Sequence, residues 1–146
     1  MEARLNFYKA SPNAIKAMRG LEEQISRSSL EKPLIELVRL RASQINGCAF
    51  CVDMHSTDAR KHGETERRLA ALVVWREAPL FSDRECAALE WTEALTRVEH
   101  THVPDDVWER VKPHFTPEEL VDLTLLVSTI NSWNRFAIAF RSQLPN

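Results

Sequence analysis

From Pro33 to Ile45 the chain reads Pro-Leu-Ile-Glu-Leu-Val-Arg-Leu-Arg-Ala-Ser-Gln-Ile, and this stretch restricts the fold more than any other. Leu34, Ile35, Leu37, Val38, Leu40, Ala42 and Ile45 fall on nearly every face of a helix, so a helix here must be enclosed by its neighbours. It begins between Leu30 and Pro33, and Asn46-Gly47 supplies the stop. Glu36, Arg39, Arg41 and Ser43 lie within it, and those that face inward must find partners there.

The punctuation on either side is also helical. Ser11-Pro12 opens a helix in which Ile15, Met18, Leu21 and Ile25 recur at helical spacing. Ser82-Asp83-Arg84-Glu85 and Thr116-Pro117-Glu118-Glu119 are capping boxes, a hydroxyl with a glutamate three residues later. The first starts a helix that runs to about Val98 and buries Trp91; the second starts a long one, roughly Pro117 to Arg141, that crosses the core or an interface. His100-Thr101-His102 reads as a loop, Pro104-Asp105-Asp106 as the start of a short helix, and residues 1–10 as irregular, with Phe7 and Tyr8 docking on the body or on a neighbour. Trp75, Trp91 and Trp108 read as core residues. No stretch alternates with period two, and there is no repeat. The expectation is an all-α bundle of six or seven helices forming one domain over residues 1–146.

Composition agrees and narrows the partners. Three glycines and one tyrosine in 146 residues disfavour a sheet protein, and 44% hydrophobic residues suffice for a packed interior. A net charge of -2 without a block of like charges argues against nucleic acid or an anionic membrane surface as partner. The N-terminus has no signal-peptide core, and no apolar run approaches membrane-spanning length, so a cytoplasmic location is expected. Three cysteines, a close pair and a distant single, do not make a secreted disulfide framework.

The chemistry concentrates just after Gly47, in Cys48-Ala49-Phe50-Cys51-Val52-Asp53-Met54-His55. If a helix opens near Cys48, the free N–H groups and positive dipole end of its first turn favour a thiolate. Cys48, Cys51 and His55 then share one stripe. His55 can take the proton of Cys51, whose thiolate can attack a hydroperoxide O–O bond; Cys48 then condenses with the sulfenic acid. Competing readings differ in strength. Structural zinc needs four ligands, and Cys86 is the only other cysteine; a c-type haem needs the histidine where Val52 stands; thioredoxin chemistry needs a βαβ setting. Two inert buried thiols remain open. If the helices on either side of Gly47 form a hairpin, Glu36 lies about 15 Å back from the turn and His55 about 12 Å beyond it. Glu36 can then orient His55 or pass its proton on; the competing reading is an exposed carboxylate or one paired with Arg39 or Arg41. Asn131, Trp133, Asn134 and Arg135 read as packing or interface residues, Cys86 as a small buried hydrophobe, and His62 as a helix-end residue.

The segment Glu36 to His55, a glutamate followed by Asn-Gly-Cys-x-x-Cys-x-x-x-His, resembles the alkylhydroperoxidase D-like branch of the carboxymuconolactone decarboxylase family. Trp75-Arg76-Glu77, the Ser82–Arg97 helix and Ile130-Asn131-Ser132-Trp133-Asn134-Arg135 resemble it more loosely. The resemblance implies a helical fold assembled into trimers or hexamers. It also implies a thiol-dependent peroxidase acting on organic hydroperoxides, with Cys51 the attacking thiol, Cys48 the resolving one, and His55 and Glu36 a proton relay. The redox group would be the Cys48–Cys51 disulfide, with no bound cofactor or metal. The reductant would be a dithiol, of which a dihydrolipoyl protein is the kind used by the best-known members. Phe50 departs from the pattern, since a tyrosine often stands there. Three alternatives stay open: a general dithiol oxidoreductase or redox sensor, a lactone decarboxylase of the wider family, and a non-redox helical protein with idle cysteines.

Overall fold

The structure, a computed structural model, describes residues 1–145. Its helices are α1 (Phe7–Ala10), α2 (Pro12–Ser26), α3 (Lys32–Asn46), α4 (Ala49–Lys61), α5 (Glu66–Ala71), α6 (Asp83–Thr96), α7 (Val98–Thr101), α8 (Asp105–Val111) and α9 (Pro117–Phe140). Two 3-10 turns, Leu72–Val74 and Lys112–His114, follow α5 and α8. Among the described residues there is no strand.

The all-α expectation holds, but among the described residues nine α-helices replace the six or seven expected. The additional ones include single turns that carry no hydrophobic periodicity. In α1 the Asn6 side chain accepts the Lys9 N–H at 3.1 Å, a local cap on a four-residue helix. At α7 the chain breaks at Arg97 and resumes for one turn where a loop was expected, and the Thr101 hydroxyl ties it back to the Ala94 carbonyl at 2.7 Å.

α3 is the enclosed helix. Leu37, Val38, Leu40 and Ala42 are fully buried, and α4, α6 and α9 pack around them. Its interior charge is matched: Arg41 Nε donates to Glu93 Oε1 of α6 at 2.9 Å, and the Trp75 indole donates to the same oxygen at 2.9 Å. Both capping boxes form. Arg84 then joins three helix starts, reaching Glu31 at 3.0 Å and Glu119 at 2.8 Å. At the other end, Phe7 packs on Phe136 and Phe140 of α9 with ring centroids 5.4 and 5.6 Å apart, and Arg4 N–H bonds to Phe140 O. This strap brings α1 over one end of α4. Trp108 departs from the core assignment: it is 40% exposed, lying over the edge of the buried Trp91. A tryptophan covers so much area that it contributes to a core from the rim.

Candidate functional site

The turn between α3 and α4 positions the dithiol. Gly47 adopts the left-handed conformation, φ 68°, which only glycine enters without cost. Its N–H bonds to Gln44 O, and the Cys48 N–H bonds to Ser43 O at 3.0 Å, a Schellman closure that turns the chain sharply into α4. Cys48 is therefore the N-cap, not the first residue of the helix. Its sulfur takes the place of the usual capping oxygen and accepts the Cys51 N–H at 3.3 Å. Both thiols are free and buried, packed with Ala137 of α9.

Two asparagines of α9 clamp that turn. Asn46 donates to Asn134 Oδ1 at 2.8 Å and to Asn131 Oδ1 at 3.0 Å; Asn134 donates in turn to Ser43 Oγ at 3.0 Å. Asn134 is fully buried, and its amide beside the thiols favours their ionised form. The sequence assigns both asparagines to packing or an interface, not to this turn. The available signal was two polar residues three apart in an otherwise apolar helix, where burial demands partners.

The thiols differ electrostatically. Cys48 is drawn down from 9.0 to about 7, chiefly by the hydrogen bond from the Cys51 thiol, with the Cys51 amide and Asn134 adding to it against the effect of burial. Cys51 is pushed up, because its proton is held by Cys48 and because it is buried. The resting pair thus carries its first negative charge on Cys48.

His55, one turn along α4 from Cys51, is buried with its Nδ1 2.9 Å from Glu36 Oε2. Glu36 is buried, not exposed, and its other oxygen accepts from Arg39 Nη1 at 2.7 Å, the pairing with Arg39 that the sequence left open. Burial alone would raise the Glu36 carboxyl; the His55 hydrogen bond and the Arg39 charge outweigh it and hold the group below its ordinary value. An ionised Glu36 accepts the Nδ1 proton, which leaves Nε2 of a neutral imidazole as the acceptor. Arg39 continues to Glu22, whose Oε1 accepts from the Trp133 indole at 2.9 Å. The chain His55–Glu36–Arg39–Glu22–Trp133 fixes the imidazole from behind.

In front lies a cavity of about 330 Å³, lined by Cys51 and His55 with Phe50, Met54, Trp133 and Ala137 among its apolar walls. Cys48 does not line it. Cys48 borders a second cavity of about 460 Å³ with Gly47 and Ala49, and Phe50 and Ala137 belong to both. The Phe50 ring, where a tyrosine was the family expectation, forms part of the partition.

Glu36, His55 and Asp58 are close enough to share a cation, their donor atoms lying within 4.8 Å of one another. Arg39 already neutralises Glu36, and His55 Nδ1 is already bonded to it, so a metal would have to displace both. Cys86 packs against the cluster of Leu69, Leu72 and Trp75, separate from the dithiol, and is half-buried, not fully enclosed. His62 caps the end of α4, while His100 is exposed beside Glu99. No helix among the described residues is long and apolar enough to cross a membrane.

An all-helical fold that holds a Cys-x-x-Cys at a helix start beside a buried histidine–glutamate pair defines a class of helical dithiol proteins. The sequence profile of the carboxymuconolactone decarboxylase family matches residues 10–94. The chain is 45% identical over 139 residues to YdfG of Bacillus subtilis (strain 168), an uncharacterized protein, with 95% of each chain covered. A crystal structure of a protein of unknown function from Agrobacterium tumefaciens, whose name relates it to the antioxidant defence protein AhpD, superposes with a TM-score of 0.96. The two are 46% identical, with 99% of each chain covered. A shorter match, 41% over 49 residues, is to the alkyl hydroperoxide reductase AhpD of Hyphomonas neptunium; it covers 34% of this chain and 27% of that one. The chain belongs to the carboxymuconolactone decarboxylase family, in its AhpD-like branch.

Proposed function

We propose that the protein reduces organic hydroperoxides through a dithiol–disulfide cycle of Cys51 and Cys48. The observation that carries this reading is that Cys51 and a histidine with a fixed tautomer face one apolar cavity, while the partner sulfur sits behind them as a stabilised thiolate. The names of the AhpD relatives support the same chemistry.

In the proposed cycle Cys51 gives its proton to His55 Nε2, and its sulfur attacks the terminal oxygen of the hydroperoxide. The S–O bond forms, the O–O bond breaks, and the alkoxide leaves as the alcohol with the proton from the imidazolium. Glu36 stabilises that imidazolium. The Cys48 thiolate then attacks the sulfenic sulfur; the S–S bond forms and hydroxide leaves, taking a proton to become water. A dithiol reductant, of the dihydrolipoyl kind, returns two electrons and two protons. An oligomer, trimer or hexamer, would cover the exposed apolar residues Val73, Val74, Val121 and Ile138.

Rapid mixing of the reduced protein with cumene hydroperoxide tests the assignment. Cys48→Ser should consume one equivalent and stop at a sulfenic acid that dimedone traps; Cys51→Ser should consume none. Full consumption by Cys51→Ser overturns the assignment. A second reading, a general dithiol oxidoreductase, is favoured by the opening of Cys48 onto its own cavity, through which its thiolate could meet a foreign disulfide. Oxidation of the pair by small disulfides but not by hydroperoxides would select it.

A further inference from the structure

The cavity in front of Cys51 has a feature the peroxidase cycle does not use. Its walls are apolar on most sides, yet besides Cys51 and the Tyr8 phenol four ionisable side chains line it: Arg19, Glu22, Arg39 and His55. Three of these are committed. Arg39 bonds to both Glu36 and Glu22, Glu22 also receives the Trp133 indole, and His55 is held by Glu36. Arg19 alone makes no ion pair or hydrogen bond among the described residues.

That freedom is unexpected for its position. Arg19 lies on α2 with glutamates three and four residues later, the spacing at which helical ion pairs form. Glu22 is turned inward to Arg39 and Trp133, and Glu23 is taken by Arg27. The guanidinium therefore remains exposed on the rim of an apolar cavity whose inner end holds the reactive thiol. The charges balance only with it included: Glu36, Arg39 and Glu22 together carry one negative charge, and Arg19 brings the set to neutrality.

Resting on the peroxidase reading, we propose that the cavity takes a hydroperoxide bearing a carboxylate at the end remote from its –OOH group, an oxidised fatty-acid-like molecule, with Arg19 receiving the carboxylate. The apolar chain lies against Phe50, Met54 and Trp133, the –OOH group meets Cys51 and His55, and the carboxylate stays at the rim. There a guanidinium offers paired N–H donors in the geometry a carboxylate accepts. A rim ion pair is partly solvated, so its effect is modest, about fivefold in the rate of productive capture.

Two measurements on the full chain test this. The first compares the free acid and the methyl ester of one medium-chain hydroperoxide by single-turnover thiol oxidation. The native protein should prefer the acid about fivefold; the preference should vanish in Arg19→Gln and invert in Arg19→Glu. The second uses unreactive probes, decanoate and methyl decanoate, titrated calorimetrically. Decanoate should bind more tightly than its ester, and Arg19→Gln should erase the difference. If the native protein treats acid and ester alike, or Arg19→Gln retains the preference, the carboxylate site is overturned. If decanoate binds in an Arg19-dependent manner while neither hydroperoxide oxidises the thiols, the peroxidase reading falls and the anion site stands.

Discussion

Replacing Cys51 by alanine removes one of the donors that hold Cys48 ionised and leaves the rest in place. The backbone N–H of residue 51 stays 3.3 Å from the Cys48 sulfur, and Asn134 is untouched. In the intact pair Cys48 lies at about 7 against an ordinary 9.0. That difference corresponds to about 3 kcal/mol favouring the thiolate, at roughly 1.4 kcal/mol per tenfold change. A hydrogen bond to a charged group contributes about 1.5–3 kcal/mol, so the Cys51 thiol accounts for half of the stabilisation or more. In Cys51→Ala the Cys48 ionisation should therefore rise by about one to two pH units. In Cys51→Ser, where a hydroxyl can still donate, it should stay near its native value. The assay is the pH dependence of thiolate absorbance, checked by the rate of iodoacetamide alkylation. Cys86 does not interfere, because burial and the neighbouring Asp83 and Glu85 push its thiol up. If Cys51→Ala still ionises near 7, the donor is not the Cys51 thiol. If Cys48→Ala leaves a thiol that ionises near 7, the charge rests on Cys51 and the ordering of the pair is reversed.

Glu36→Gln should slow sulfenic acid formation about 10–100-fold, as expected when a side chain that orients a catalytic imidazole is neutralised, while leaving alkylation of Cys48 nearly unchanged. The same variant bears on acid stability. The folded Glu36 carboxyl lies below its ordinary 4.5, so its contribution is fully present above that value and is lost as pH falls through the lower folded one. Unfolding midpoints measured across that acid range should fall less steeply in Glu36→Gln than in the native protein. Asn134→Ala leaves Ser43 and Asn46 short of partners in a buried site and should cost about 1–3 kcal/mol in denaturant unfolding, with a rise in the Cys48 ionisation. Gly47→Ala meets no neighbour within 4 Å, so only the positive φ opposes it; the expected loss is about 1 kcal/mol, and Gly47→Asn should lose less.

What the sequence disclosed follows from what its local rules encode. The capping boxes at Ser82 and Thr116, the stop at Gly47 and the enclosed α3 are properties of neighbouring residues, and all appear where expected. The Glu36–His55 contact was reachable because a tight turn makes one hairpin of α3 and α4, so helical rise converts into distance. Asn134, Glu22 and Arg19 were not reachable in this way. Their placement is set far along the chain: Asn134 reaches Ser43 from α9, Glu22 reaches Trp133, and Arg19 lines a cavity with residues of α4 and α9. Periodicity can mark such residues as polar in an apolar setting, but it cannot name their partners. The single turns α1 and α7 escaped for the opposite reason, being too short to have a period at all.

In the proposed cycle, the asymmetry of the two sulfurs also bears on how a Cys48–Cys51 disulfide would be opened again. An incoming thiolate attacks one sulfur and expels the other, and the thiol of lower pKa leaves faster. Cys48 is that thiol, because the donors that stabilise its resting thiolate, the Cys51 amide and Asn134, remain in place to receive the charge as the S–S bond breaks. Cys51 has only Asn134 in support, and the neighbouring Cys48 and burial oppose its ionisation. Attack is therefore favoured at Cys51, from the side of the smaller cavity, even though Cys48 borders the larger one. A reductant that reaches Cys51 must be a slender thiol-bearing arm, since a folded surface cannot enter about 330 Å³. It must also enter where the hydroperoxide does. The two half-reactions then share one door, and excess reductant should slow peroxide capture by occupying the cavity, as in a ping-pong enzyme whose second substrate competes with its first.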